Sequence, residues 1–251
     1  MAEDVELNQF LARHFLQSSG YEVTVAANGH EALARLEDRS YDCILMDIQM
    51  PELDGIQTAR RIRGLTDPQK AAIPIIALTA NVRQEDIARY RAAGMNDFLA
   101  KPFDEASLLL VISRNLDPTL PVSSPGQAIE MHDRSPGEET CLYDLSIVQS
   151  VSGGDRAFIR KMILLFIETV PVNVGELSAA LVAENWEQVG KMAHKLKSTV
   201  DSMGIKSIHG DIRKVEAYAK EKKNLEEIAG MTAKIHDTIE RCIRQLRGEL
   251  A

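Results

Sequence analysis

Two short, unbroken apolar runs constrain this chain more than any other feature. They are "CILMD" at 43–47 and "IPIIALT" at 73–79, and a helical pattern lies between them. A strand that is apolar on both faces has to be covered on both faces. Strands of that kind, interleaved with helices, form a parallel sheet sandwiched between helical layers. The first half repeats this alternation throughout. Strands are expected at Tyr21–Ala26, Asp42–Asp47, Ile73–Ala80 and Asp97–Ala100, and helices at Glu31–Glu37, Ile56–Leu65, Arg83–Ala93 (stopped by Gly94) and Asp104–Asn115.

The second half shows no strand pattern. Helices are expected near Leu145–Ser150 and over Asp155–Glu184, where Pro171 predicts a kink. Further helices follow at Glu187–Met203, Ile205–Lys222 and Leu225–Leu250. Their short connections predict an antiparallel all-α bundle. Between the halves the pattern dissolves into Pro118, Pro121, Pro125 and Pro136 with interspersed Ser and Gly. The expected organisation is therefore an α/β unit at 1–116, a flexible linker at 117–140 and a helical unit at 141–251. As a flexible coil that linker spans about 28 Å on average, and about 85 Å fully extended.

Ligands of an open parallel sheet bind beyond the carboxyl ends of its strands, so the residues that end the strands matter most. Asp47 ends one apolar run, in "LMDIQMPELDG", and Thr79 ends the next, in "ALTAN". Lys101 follows the last, in "DFLAKPF", and Glu3 and Asp4 precede the first helix. A buried, unpaired carboxylate is costly, so Asp47 needs a cation or a ligand. Clustered carboxylates suit a hard dication such as Mg²⁺ that keeps its waters and accepts phosphate oxygens. An ammonium and a hydroxyl beside it suit phosphoryl oxygens, and a carboxylate can be the nucleophile of an aspartyl-phosphate mechanism.

These stretches together, with 32 residues from Asp47 to Thr79 and 22 more to Lys101, resemble a response-regulator receiver domain with a flavodoxin-like, doubly wound parallel sheet. The resemblance implies that Asp47 accepts a phosphoryl group. Glu3, Asp4, Asp47 and the main-chain carbonyl of Gln49 would then hold Mg²⁺. It further implies that Thr79 and Lys101 bind phosphoryl oxygens, and that Phe98 is the ring that changes rotamer on activation. A phosphatase of the haloacid-dehalogenase type would require a second Asp two residues after the first, and position 49 is Gln. A receiver's first strand normally supplies four to six apolar residues, yet only Met1 and Ala2 precede Glu3. The first strand is therefore expected to be largely missing, its neighbours unable to bridge the gap, and a hydrophobic strand is expected upstream of Met1.

In the second half, "KMAHKLKSTVDSMG" places Val189, Met192, Ala193, Leu196, Val200 and Met203 on one helical stripe. His194 lies about 150° from the centre of that stripe, so it is expected to face outward, with Lys197 and Ser198 sharing its face. "AHKLKS", with Gly204 ten residues after His194, is similar to a histidine phosphotransfer (HPt) domain. That resemblance makes His194 the phosphoacceptor and Lys197 its electrostatic helper. His209 and His236 read as structural.

The chain shows no kinase dimerisation helix and no glycine-rich ATP-binding region. The resemblance thus implies a phosphorelay module like the C-terminus of a hybrid sensor kinase, or a separate protein of that composition. Its partners would be an upstream histidine kinase and a downstream response regulator. The alternatives are a non-phosphorylated scaffold with a degenerate receiver and a phosphatase sink that runs the relay backwards. The net charge of −8 argues against nucleic acid. No uninterrupted apolar run approaches the roughly 18 residues of a membrane span. Cys43, Cys141 and Cys242 lie far apart in no metal spacing, so reduced thiols and a cytoplasmic location are expected.

Overall fold

The computed structural model describes residues 1–80, 83–117, 141–152 and 154–250. The chain forms two compact units, divided between His132 and Asp133. The expected linker, with His132 in it, lies outside the described residues apart from Asp117.

The first unit runs α1 (Glu6–Ser18), α2 (Gly29–Asp38), β1 (Ile44–Asp47), α3 (Gly55–Arg63), α4 (Pro68–Ala72), β2 (Ile75–Thr79), α5 (Gln84–Ala92), β3 (Asp97–Ala100) and α6 (Glu105–Leu116). Side-chain caps set several helix starts. Asn28, Asp54 and Asp104 accept from the main-chain N–H groups of Glu31, Gln57 and Ser107, which satisfies donors a helix leaves unpaired. The strands are parallel in the order β1-β2-β3. Every residue of β1 and β2 is buried, as their unbroken apolar runs require, whereas β3 at the edge is half-buried.

Two expectations need correction here. Tyr21–Ala26 does not form a strand; only Ala26 makes a ladder contact. The gap beside β1 is also bridged. Ala2 pairs in parallel with both Ala26 and Met46. Its N–H donates to Leu45 O at 2.8 Å, the Asp47 N–H returns to Ala2 O at 2.9 Å, and the Glu3 N–H donates to Ala26 O at 3.0 Å. Residues 1–3 thus occupy the central position and complete the lateral order 26–2–β1–β2–β3, the doubly wound 2-1-3-4-5 arrangement. One residue suffices because ladder bonds are made residue by residue and Ala2, 1% exposed, sits fully in the core.

The second unit runs α7 (Ser146–Val151), α8 (Arg156–Val182), α9 (Trp186–Ser202), a 3₁₀ turn at Lys206–Ile208, α10 (His209–Glu221) and α11 (Leu225–Glu249). The expected helix from Ile205 begins as this tighter turn. α9 packs on α8 and α10, and α11 closes onto both. Pro171 lies inside α8, which by length and composition could cross a membrane. Its inward residues Met162, Phe166, Val170 and Leu177 are fully buried in the bundle. The backbone turns sharply after α9 at Gly204, whose φ is +62°. A Cβ there would sit 2.5 Å from the Asp144 carbonyl oxygen, so glycine is required on both counts.

Candidate functional site

The β-ladder sets the first site. Asp47 pairs with Leu78, and Thr79 pairs with Ala100, the residue before Lys101. The carboxyl ends of β1, β2 and β3 therefore present Asp47, Thr79 and Lys101 side by side. The turn after Asp47 folds back on it. Gly55 N–H donates to Ile48 O at 3.0 Å, and a Cβ at Gly55 would lie 2.1 Å from the Asp47 carbonyl oxygen. That close approach is why "MPELDG" ends in glycine. Gln49 lies in this turn, its N–H donating to Asp47 Oδ1 at 3.2 Å.

Lys101 Nζ sits between two buried carboxylates, 2.5 Å from Glu3 Oε2 and 2.6 Å from Asp47 Oδ2. Glu3 is held further by Asn8 Nδ2 at 3.0 Å and by the Val5 N–H at 3.2 Å, both on Oε1. Gln9 Nε2 donates to the Glu3 carbonyl at 2.6 Å. The "EDVELNQ" stretch is thus a preorganised acidic corner. One carboxylate oxygen from each of Glu3, Asp4 and Asp47 can be chosen so that all three lie within 4.8 Å of one another. This all-oxygen set on neighbouring backbone segments fits a small hard dication.

The electrostatics agree with that fit. One ammonium faces two buried carboxylates, leaving surplus negative charge. Burial pushes the Glu3 carboxyl up to about 7, Lys101 opposing and Asp47 adding to the rise. Burial alone would lower the Lys101 ammonium, but Asp47 and Glu3 outweigh it and hold Lys101 above its ordinary value. Thr79 is buried, and its hydroxyl lies 2.9 Å from that of Tyr90, a partner the sequence reading missed. Phe98 is half-buried and packs against the sheet core.

The second site departs from expectation. His194 does not face freely outward: its side chain is 15% exposed, and its Nδ1 lies 2.8 Å from Glu216 Oε1 on α10. Lys197 is not a surface lysine either. It is buried, with Nζ 2.7 Å from Glu216 Oε2. α10 packs tightly on α9 and covers the flank of the stripe from which both project. Burial acts to raise the Glu216 carboxyl, but the His194 hydrogen bond and the charges of His194 and Lys197 outweigh it and bring it down to about 2. Glu216 is therefore ionised at neutral pH and can only accept. In the neutral ring Nδ1 must therefore carry the proton, which leaves the lone pair on Nε2. The signal for Glu216 was present, a carboxylate flanking the Ile212, Val215 and Ala219 stripe as Asp211 does on the other side, but its partners could not be assigned without the packing. His209 Nε2 lies 2.6 Å from Asp201 Oδ1, and His236 is on the surface.

Comparison with known proteins assigns a family to each unit. Residues 1–113 match the family model of the response regulator receiver domain and residues 161–249 that of the Hpt domain. The aerobic respiration control sensor protein ArcB of Escherichia coli K12 is 30% identical over 209 residues, 83% of this chain and 26% of its own length. The signal transduction histidine-protein kinase BarA of the same organism is 30% identical over 204 residues, 81% of this chain and 22% of its own length. The chain thus spans about a quarter of the length of the curated relatives it matches. Among solved structures, the receiver domain of the sensor histidine kinase PA1611 from Pseudomonas aeruginosa PAO1 is 43% identical, with a TM-score of 0.43. That match covers 46% of this chain and 93% of that one, which carries a magnesium ion coordinated in its active-site cleft. This chain belongs, over residues 1–113, to the response regulator receiver family and, over 161–249, to the Hpt family, the paired domains of phosphorelay signal transduction.

Proposed function

We propose that Asp47 takes a phosphoryl group from a histidine kinase and that His194 carries it on to a downstream response regulator. The observation that carries this reading is the buried Asp47 carboxylate, gripped by Lys101 and set against Glu3 and Asp4. In the first step an Asp47 oxygen forms a bond to phosphorus as the phosphorus–nitrogen bond of the donor phosphohistidine breaks. In the second, His194 Nε2 attacks the phosphorus and the Asp47 carboxylate leaves. The Nδ1 proton stays on the ring, whose positive charge Glu216 balances. Lys101 and Thr79 would meet the phosphoryl oxygens, so that positioning and charge compensation supply the rate. Glu3, Asp4, Asp47 and the Gln49 carbonyl would hold Mg²⁺, which neutralises phosphoryl charge when bound. The degenerate-scaffold alternative drew its support from a missing first strand, a position that Ala2 fills.

The test is phosphorylation of the purified chain by a small acyl-phosphate donor with Mg²⁺. Acyl phosphate is lost in alkali, whereas phosphohistidine survives alkali and is lost in acid. Wild type should carry alkali-stable label. Asp47→Asn should carry none of either kind, and His194→Gln should keep only the alkali-labile label. Absence of label from all three overturns the reading.

The acidic corner also predicts a pH effect. Glu3 must be ionised to bind a cation, and its folded pKa of about 7 means it takes up a proton just below neutrality. Mg²⁺ affinity, followed by isothermal titration calorimetry, should fall about tenfold for each unit the pH drops below 7. A constant affinity from pH 8 to 5.5 would exclude Glu3 as a ligand.

A further inference from the structure

The phenol of Tyr90 reaches from α5 to the carboxyl end of β2, its oxygen 2.9 Å from Thr79 Oγ1. Thr79 is 4% exposed and Tyr90 5%, so neither hydroxyl can rely on water and each depends on protein partners. A hydroxyl has one proton and two lone pairs. Burial holds the Tyr90 phenol above its ordinary pKa, yet a phenol is still a far stronger acid than an aliphatic alcohol. The favoured direction is therefore Tyr90 O–H donating to Thr79 Oγ1, which leaves the single Thr79 proton to be donated elsewhere. Thr79 follows Leu78, the register partner of Asp47, along β2, which puts its hydroxyl at the same carboxyl edge of the sheet as the phosphoryl site.

The attachment of α5 gives this bond a second consequence. Tyr90 is the one buried residue of the helix. Its ring joins the sheet core and its polar tip is bonded to Thr79. A helix anchored by one side chain is weakly held, and any displacement of Thr79 is passed through that anchor.

We propose that Tyr90 is a positioning residue. Its hydroxyl orients Thr79 to donate to a phosphoryl oxygen on Asp47, and the same hydrogen bond couples the phosphorylation state of Asp47 to α5. The proposal rests on the reading of Asp47 as phosphoacceptor. No bond beyond hydrogen bonds is made or broken: Tyr90 keeps its proton, and Thr79 donates its own without losing it. A chain of two such bonds polarises cooperatively, so the phosphoryl group tightens the Tyr90–Thr79 link as it arrives.

A double-mutant cycle tests this on the full chain, with acyl-phosphate donor and Mg²⁺. Tyr90→Phe keeps the ring and removes only the hydroxyl. It should slow labelling of Asp47 about fivefold, the equivalent of one ordinary hydrogen bond. In Thr79→Val, adding Tyr90→Phe should cause no further slowing, because the two groups act as one unit. Hydrogen exchange of the 84–92 amides should change on labelling in wild type, and by less than half as much in either single variant. A labelling rate unchanged in Tyr90→Phe, or effects that add in the double variant, would overturn the proposal. A full α5 response in Thr79→Val would overturn it as well, even if Tyr90→Phe failed to fold. If wild type takes no label, the reading of Asp47 fails instead. Labelled wild type with an additive cycle refutes the role of Tyr90 alone.

Discussion

Lys101→Ala will destabilise the receiver unit by about 3–5 kcal/mol at pH 7.5 and abolish labelling of Asp47. Among the described residues the lysine is the one cation paired with two buried carboxylates, Glu3 at 1% and Asp47 at 4% exposed. Removing it leaves like charges facing each other out of reach of water, which costs far more than loss of a surface pair. Two conditions should relieve the defect. Mg²⁺ replaces the missing positive charge, so the melting temperature of the variant should rise more on adding Mg²⁺ than that of wild type. Acid should also help. Glu3 has a folded pKa near 7, above its unfolded value of about 4.3. A carboxyl shifted in that direction weighs against the fold as pH rises through that interval and does so least below it. The gap between variant and wild type should therefore narrow from pH 7.5 to pH 5.5. A gap that is small, or that widens in acid, would mean Lys101 is not the counter-charge of this site.

What the sequence made legible follows from how local each signal is. The strand ends were readable because an apolar run that stops on Asp47 or Thr79 carries its own explanation, and parallel pairing then places those ends side by side. The bridging of the gap beside β1 was missed because ladder pairing requires position rather than length, and Ala2 alone makes both bridges. Tyr21–Ala26 was misread in the opposite sense: its β-prone residues make a ladder bridge only at Ala26. At the second site a helical wheel fixed the direction of His194 relative to its own stripe, but not what α10 lays over that direction. The same blindness hid Glu216 and Tyr90. Each is ordinary within its own helix and acquires a role only from a side chain that packing brings to it, Lys197 and His194 in one case and Thr79 in the other.

Glu216→Ala will destabilise the helical unit by about 3–5 kcal/mol and slow phosphoryl transfer to His194 about tenfold to a hundredfold. The first effect has the same origin as that of Lys101. Lys197 is 6% exposed and its bond to Glu216 Oε2 is 2.7 Å, so truncating the carboxylate leaves a buried ammonium uncompensated. The second follows from the imidazole. Without Glu216 nothing fixes the proton on Nδ1, and nothing balances the ring as Nε2 takes the phosphoryl group; a charge-assisted bond of about 1.5–3 kcal/mol corresponds to that range of rates. Glu216→Gln separates the two effects. Its amide oxygen still accepts from Nδ1 or Nζ, so most of the stability should return, whereas the transfer rate should stay low because the charge is gone. The pH dependence of stability checks the same pair. Glu216 has a folded pKa of about 2 against an unfolded value near 4.3. A depressed carboxyl contributes stability fully above its unfolded value and loses it as pH falls toward the folded one. Wild type should therefore lose on the order of 3 kcal/mol between about pH 4.3 and 2, and Glu216→Gln should show a correspondingly flatter acid limb. Urea unfolding of the separate helical transition across that range measures it. A wild-type acid limb identical to that of Glu216→Gln would remove Glu216 as the anchor of this site, and with it the assignment of Nε2 as the atom that receives the phosphoryl group.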